Sequence, residues 1–338
     1  MRHLSAVLVT LLAVAGATPA AAQLYQLHDN GAILKFTGVA CTGSSCPGWQ
    51  QLDNNPATKQ IEAAGGQLYQ RHTNGKVFRY TGTPCSGSSC PGWQQLDNNT
   101  STVSITAGGT NLYQRQADGK VLRYTGTPCS GASCPGWQLL DNNSGTKHLT
   151  ATGNLLYRHS GDKIWEYTGT PCSGASCPGW RMIDNNPATR DIEGGGNHLY
   201  QLHRLVGDRA IYRYTGVPCS GNTCSGWQQL DRNPSTGSIA AGQNIQGPDV
   251  LYQTNDDSIW EFTGTPCAAS GCPGWRRIDN NAAANRGIVS GAGGGLYQQH
   301  SDGKIWRYTR VPCTGNSCPG WVMLDNNPHT STIVFSGD

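Results

Sequence analysis

Leu68 to Asn111 reads LYQRHTNGKVFRYTGTPCSGSSCPGWQQLDNNTSTVSITAGGTN, and recognisable copies open at Leu24, Leu68, Leu112, Leu156, Leu199, Leu251 and Leu296. The spacings are 44, 44, 44, 43, 52 and 45 residues. A unit of that size cannot bury its own apolar face, so it must stack on copies of itself. The period overrides the two-domain prior that a chain of 338 residues would otherwise carry, and residues 23–338 read as one closed domain.

Within this copy, Leu68 to His72 and Val77 to Thr81 read as strands flanking Thr73-Asn74-Gly75. Asn-Gly between two β-rich runs predicts a type I′ hairpin, with positive φ at both central positions. Asn30-Gly31, Asp118-Gly119 and Asp302-Gly303 keep that chemistry, while Gly161-Asp162 and Asp256-Asp257 are variants. After the loop Pro84 to Pro91, Gly92 to Leu96 predicts a third strand, and Asp97-Asn98-Asn99 can close a turn through their own side chains. Ser104 to Ala107 gives a fourth.

Four short antiparallel strands in each of seven copies predict an all-β, seven-bladed β-propeller. The first copy begins at its second strand, and the chain ends in an extra segment, Thr332-Ile333-Val334-Phe335-Ser336-Gly337. The C-terminal strand is therefore expected to complete the blade that the N-terminus starts. A linear solenoid would instead want polar caps at both ends.

All fourteen cysteines lie in Cys-x4-Cys pairs, one per copy: Cys41 with Cys46, Cys85 with Cys90, Cys129 with Cys134, Cys172 with Cys177, Cys219 with Cys224, Cys267 with Cys272, and Cys313 with Cys318. Zinc wants four soft ligands, and each copy offers an isolated pair, so local disulfides are the favoured reading and no metal is expected. Closing so short a loop gives at most about 2 kcal/mol each on the chain-entropy model, so the bridges pin loops and do not create the fold.

Residues 1–22 differ from the rest. Arg2 and His3 precede an apolar run from Leu4 to Ala17, and small residues follow through Ala20-Ala21-Ala22, which fits a secretory signal cleaved before Gln23. The run falls short of the roughly 18 to 20 apolar residues a membrane span needs. A secreted protein, extracellular or periplasmic, is expected. The net charge of +3 and the absence of a basic run give no support to a nucleic-acid surface.

Gly-x-Ile-Trp-x-Tyr, Gly-Trp-x-x-Leu/Ile-Asp and an Ile-x-Ala-Gly strand together resemble the tectonin family across essentially all of residues 23–338. That resemblance implies a β-propeller of the kind found in secreted and cell-surface carbohydrate-binding proteins, including tachylectin-type lectins. It implies glycans of cell surfaces or cell-wall polymers as partners. The Cys-x4-Cys loop and the Asp-Asn-Asn-Pro-Ala-Thr segment depart from a minimal tectonin repeat.

Two residue sets are candidates for ligand contact. The Gly-Trp tryptophans, Trp49, Trp93, Trp137, Trp180, Trp227, Trp275 and Trp321, occur in every copy and read first as wedges between blades, although an indole can also stack on a sugar. If Asn74-Gly75 is a two-residue turn, strand alternation puts Gln70, His72 and Arg79 on one face, opposite the aromatic residues Tyr69, Phe78 and Tyr80. This polar trio recurs as Gln26, His28 and Lys35, as Gln201, His203 and Arg213, and as Gln298, His300 and Arg307, with Gln114, Gln116 and Arg123 as a near match. The fourth copy carries Glu166 in place of the base, and the sixth has Gln253, Asn255 and Glu261. Amide, imidazole and guanidinium groups suit a hydroxyl-rich ligand, yet they equally suit a network that joins blades. Trp165, Trp260 and Trp306 are the next candidates for sugar contact. The Asp-Asn pairs offer one carboxylate per copy, too few for calcium, and read as turns.

An enzyme should show residues that break the repeat. The main irregularities are the hairpin Arg204 to Arg209 and the insertion Gln243 to Val250, and neither holds a nucleophile with a base. No catalytic motif or free cysteine occurs, so no enzyme activity and no cofactor are expected. A lectin-like protein is the leading reading and a non-catalytic interaction scaffold is the alternative. Carboxylates lining the central channel would favour a third, a propeller hydrolase.

Overall fold

The computed structural model describes residues 22–204, 209–243, 249–256, 258–281 and 285–336. Most of the segment read as a signal, the tip of the fifth hairpin and most of the Gln243 to Val250 insertion lie outside the described residues. The strands, numbered β1 to β28 in chain order, form seven four-stranded antiparallel sheets. The one helical element among the described residues is the 3-10 turn Ala292–Gly294. None of the described helices is long and apolar enough to cross a membrane.

The second blade shows the plan: β4 (Thr58–Ala64), β5 (Gln67–His72), β6 (Val77–Tyr80) and β7 (Trp93–Asp97) lie side by side in that order. The Ile-x-Ala-Gly strand of every blade is innermost and faces its counterparts around a central channel. Ring closure is as the sequence predicts. β28 (Thr330–Ser336) joins β1 (Gln23–His28), β2 (Ile33–Phe36) and β3 (Trp49–Asp53), pairing from Gln23↔Ser336 to His28↔Thr330.

The core lies between blades. Tyr25, Leu27, Ile33 and Leu52 of the first blade pack on Ile61 and Leu68 of the second, with Tyr80 and Trp93 at the edge. Each Gly-Trp indole works as a wedge: Trp93 sits 5.3 Å from the Tyr80 ring and donates its N–H to the Leu52 carbonyl of the preceding blade at 3.0 Å. The same inter-blade bond is made by Trp49, Trp137, Trp180, Trp227, Trp275 and Trp321.

Every cysteine is bridged within its own loop, as the spacing predicts. Cys41 is joined to Cys46, Cys85 to Cys90, Cys129 to Cys134 and Cys172 to Cys177. Cys219 is joined to Cys224, Cys267 to Cys272 and Cys313 to Cys318. Among the described residues no cysteine is free. Each loop also clips onto the preceding blade, as where the Cys85 amide donates to the Gln51 carbonyl at 3.2 Å. The Asp-Asn turns close as expected, with Asp97 Oδ1 accepting from the Asn98 amide at 2.9 Å. In addition the Asn98 side chain donates to the Ala132 carbonyl in the next blade's disulfide loop, at 2.8 Å. Asn54, Asn142, Asn185, Asn280 and Asn326 repeat that link.

The hairpin differs from expectation. Gly75 has φ 84°, but Asn74 is not at positive φ, and the Gly75 amide donates to the His72 carbonyl at 3.0 Å. This is a type I turn followed by a left-handed glycine, a three-residue loop and not a two-residue I′ turn. A Cβ at Gly75 would lie 2.4 Å from the Asn99 carbonyl, so both the space and the backbone require glycine. The extra loop residue sets the pairing at Arg71↔Val77, Gln70↔Phe78 and Tyr69↔Arg79.

Candidate functional site

That one-residue change of register moves every side chain of β6 to the other face relative to β5. Directly paired residues share a face, so Gln70 and His72 lie with Phe78 and Tyr80, whereas Arg79 lies with Tyr69. The predicted trio is divided. Lys35 pairs with Tyr25, Arg213 with Tyr200 and Arg307 with Tyr297, so the first, fifth and seventh blades divide in the same way. The expected aromatic and polar faces are thereby corrected to two mixed ones.

The Gln/His face is committed largely to joining blades. Gln70, 1% exposed, donates to Asp53 Oδ2 of the first blade at 2.8 Å and accepts from Thr58 Oγ1 at 2.6 Å. His72 Nε2 lies 3.2 Å from Gln70 Oε1, and its ring sits 4.4 Å from that of Phe78. Gln26 is held by Asp325 and Thr330 in the same geometry. Thr102 with Gln114, Thr189 with Gln201 and Thr236 with Gln253 repeat the clasp, each threonine sharing its single hydroxyl proton between the glutamine and the preceding blade's aspartate. Burial holds His28, His72 and His300 below the ordinary imidazole range, and desolvation pushes Asp97 and Asp325 up. His203 packs on Tyr212 at 4.6 Å.

In the fourth blade Arg158 replaces the glutamine. Its guanidinium bonds Asp141 Oδ2 and, at 3.2 Å, Thr146 Oγ1, and lies 5.2 Å from the Trp165 ring and 4.7 Å from that of Trp180. Trp165 therefore packs beneath an internal cation. Trp260 pairs with Gln253, and Trp306 stands 5.8 Å from His300.

The bases open onto the other side of each sheet. A cleft of about 550 Å³ between the first and second blades is lined by Tyr25, Lys35, Gln67, Arg79 and Tyr80. Another of about 510 Å³ between the seventh and first blades brings together Tyr297, Arg307, Lys35, Phe36 and Gln50. A third, about 450 Å³, has Tyr157 and Glu166 facing His198, Arg213 and Tyr214. Arg79 and Arg213 rest on Gln94 and Gln228 of their outer strands, each at 2.7 Å. Where the base becomes Glu166 or Glu261, the outer-strand residue becomes Arg181 or Arg276, paired at 2.6 and 2.5 Å. Arg307, Lys35, Arg79 and Arg123 thus occupy one position in four successive blades, a basic arc that is scattered along the sequence.

The channel carries carboxylates, the feature that favours the third reading, a propeller hydrolase. Glu62 and Glu193 line a cavity of about 340 Å³ with His148 and Thr150. Burial pushes Glu62 up to about 7, and Gln60 Nε2 donates to its Oε1 at 3.0 Å. Desolvation holds His148 below its ordinary value. Thr150 is committed to the next blade, accepting from the Gly194 amide at 2.9 Å. Among the described residues no group of three or more His, Cys, Asp or Glu could hold a metal ion.

No family model matches the chain, and no curated protein matches it. Solved structures do match. The chain is similar to Prp20p from Saccharomyces cerevisiae, at 13% identity and a TM-score of 0.53, over 81% of this chain and 79% of that one; that protein binds Gsp1p and histones. Virginiamycin B lyase from Staphylococcus aureus has 14% identity and a TM-score of 0.49, over 83% and 87% of the two chains. YCF48 from Cyanidioschyzon merolae has 12% identity and a TM-score of 0.48, over 86% and 96%. At these identities the first likeness concerns the propeller fold alone.

Proposed function

We propose that this chain is a secreted, non-catalytic, lectin-like propeller that binds acidic glycans of cell surfaces or cell-wall polymers at several clefts at once. The observation that carries this reading is the repetition of clefts between blades, in two of which bases from adjacent blades converge: Arg307 with Lys35, and Lys35 with Arg79. Uronate, sulfate or sialate groups would meet those charges, and the tyrosine hydroxyls and glutamine amides beside them suit sugar hydroxyls. Single clefts bind weakly. A polymer that spans several gains through effective concentration, and salt weakens the attachment. The bridged loops agree with an oxidising compartment. An interaction scaffold is the alternative, favoured by the junction between the sixth and seventh blades, where among the described residues buried Asp279 Oδ2 and Gln298 Oε1 have no hydrogen-bond partner.

The expected result is that Lys35→Ala, Arg79→Ala and Arg307→Ala together weaken binding to a surface coated with acidic polysaccharide by roughly 100-fold, since the multivalent gain is lost with the individual contacts. His28→Ala with His72→Ala should leave binding within about threefold, as single-face changes remote from a site do. Surface plasmon resonance measures both, with circular dichroism to establish folding. Equal losses in the two variants would remove the clefts as the site.

A further inference from the structure

Each blade junction sets the aspartate that ends one outer strand against the second strand of the next blade. Five junctions close that aspartate with glutamine and threonine, and the junction of the third and fourth blades closes it with Arg158. The junction of the sixth and seventh is different. Asp279, the last residue of β23 (Trp275–Asp279), is 4% exposed, and Gln298 of β25 (Leu296–His300) is 2% exposed. Among the described residues neither Asp279 Oδ2 nor Gln298 Oε1 has a hydrogen-bond partner, and the buried indole N–H of Trp306 also lacks one. In the sequence Asn285 stands where the other innermost strands have threonine, pairing in register with His300 as Thr58 pairs with His72.

These groups border a cleft of about 480 Å³ shared with His300 and Trp321. Its surroundings match those of the Arg158 guanidinium position by position. Gln298 pairs with Trp306 as Arg158 pairs with Trp165, and Tyr308 pairs with Trp321 as Tyr167 pairs with Trp180. Asp279 corresponds to Asp141 at the end of the preceding outer strand. The seventh blade thus keeps the aspartate and both indoles that hold a guanidinium in the fourth, but among the described residues no guanidinium lines its cleft.

We propose that this cleft binds the guanidinium of an arginine side chain presented by a polypeptide partner. A planar fork of N–H donors can reach both Asp279 Oδ2 and Gln298 Oε1 while its face rests on an indole, which a compact ammonium cannot do. The Trp306 N–H then requires an acceptor, and a carbonyl of the partner's own backbone provides it, which favours arginine within a chain. No lysine or arginine is among the residues described as lining the cleft. Occupation would relieve buried acceptors whose unpaired state is otherwise costly. This site is separate from the basic clefts, and its charge preference is the opposite of theirs.

The test is titration of the full mature chain with Nα-acetyl-arginine N-methylamide, followed by tryptophan fluorescence and calorimetry, against the lysine and citrulline analogues. The arginine probe should bind at least about tenfold more tightly than either analogue, as loss of one charge-assisted contact implies. Gln298→Arg should fill the cleft from within, as Arg158 does, abolishing binding while the melting temperature is kept or raised. Asp279→Asn should weaken binding about tenfold or more, and covers the case in which Gln298→Arg does not fold. The Lys35→Ala, Arg79→Ala, Arg307→Ala variant should bind the probe as the parent does, which separates this site from the glycan reading. Absence of binding, equal binding of lysine or citrulline, or binding unaffected by either substitution at the cleft would overturn the proposal.

Discussion

Deletion of Thr330 to Asp338 is expected to lower the melting temperature by roughly 10 °C or more, or to abolish the cooperative transition. β28 is the innermost strand of the first blade, so its loss removes the ladder from Gln23 to His28 together with the buried Ile333. It also removes the contact of Phe335 with Tyr297, whose rings are 4.8 Å apart, and the Thr330 bond to Gln26 at 2.7 Å. Burial of one large aliphatic side chain contributes about 1.5 to 3 kcal/mol, so the strand as a whole accounts for a large share of the stability of a marginally stable fold. The edge of β1 would be left unpaired and prone to association. Moving the same segment in front of Gln23 should restore the transition, because closure needs the strand in the blade and not at the end of the chain. Calorimetry and size-exclusion chromatography report on both. Unchanged melting and solubility in the deletion would contradict closure by β28.

Arg158→Ala is expected to cost about 3 to 5 kcal/mol, the range for breaking a buried ion pair from one side. The side chains of Arg158 and Asp141 are 5% and 4% exposed, so removal of the guanidinium strands a buried carboxylate and leaves space between Trp165 and Trp180. Arg158→Gln should cost no more than about 1 kcal/mol, since glutamine closes the corresponding junction in five other blades and the required Thr146 is in place. Urea denaturation of the two variants makes the comparison. Equal losses would mean that Arg158 acts through packing on the indoles and not through Asp141.

How much of this was legible in the sequence differs by feature. The blade count, the local disulfides from Cys41–Cys46 to Cys313–Cys318 and the closing strand could be read because each leaves a mark in every copy, or at the one place where a copy is incomplete. The indole wedges were legible for the same reason, since a ring between blades is needed at every junction. The faces of β5 and β6 were not. Parity depends on the number of loop residues, and Asn74-Gly75 read as a two-residue turn where Gly75 instead adds a third residue to the loop. Hydrophobic alternation could not expose the error, because both faces of a propeller sheet pack against neighbouring blades. Arg158 could have been found, as it is the one arginine at a position otherwise held by glutamine, with Trp165 beside it. The paired exchange of Arg79 and Gln94 for Glu166 and Arg181 was similarly visible. The basic arc and the unclosed seventh junction needed the ring, which brings together residues far apart in the chain.

The most direct measurement of the central claim is binding of residues 23–338 to an array that carries acidic and neutral glycans at graded densities. Binding to acidic glycans is expected to steepen with density and to weaken with added salt. Absence of binding to any glycan, or binding indifferent to both density and charge, would contradict it.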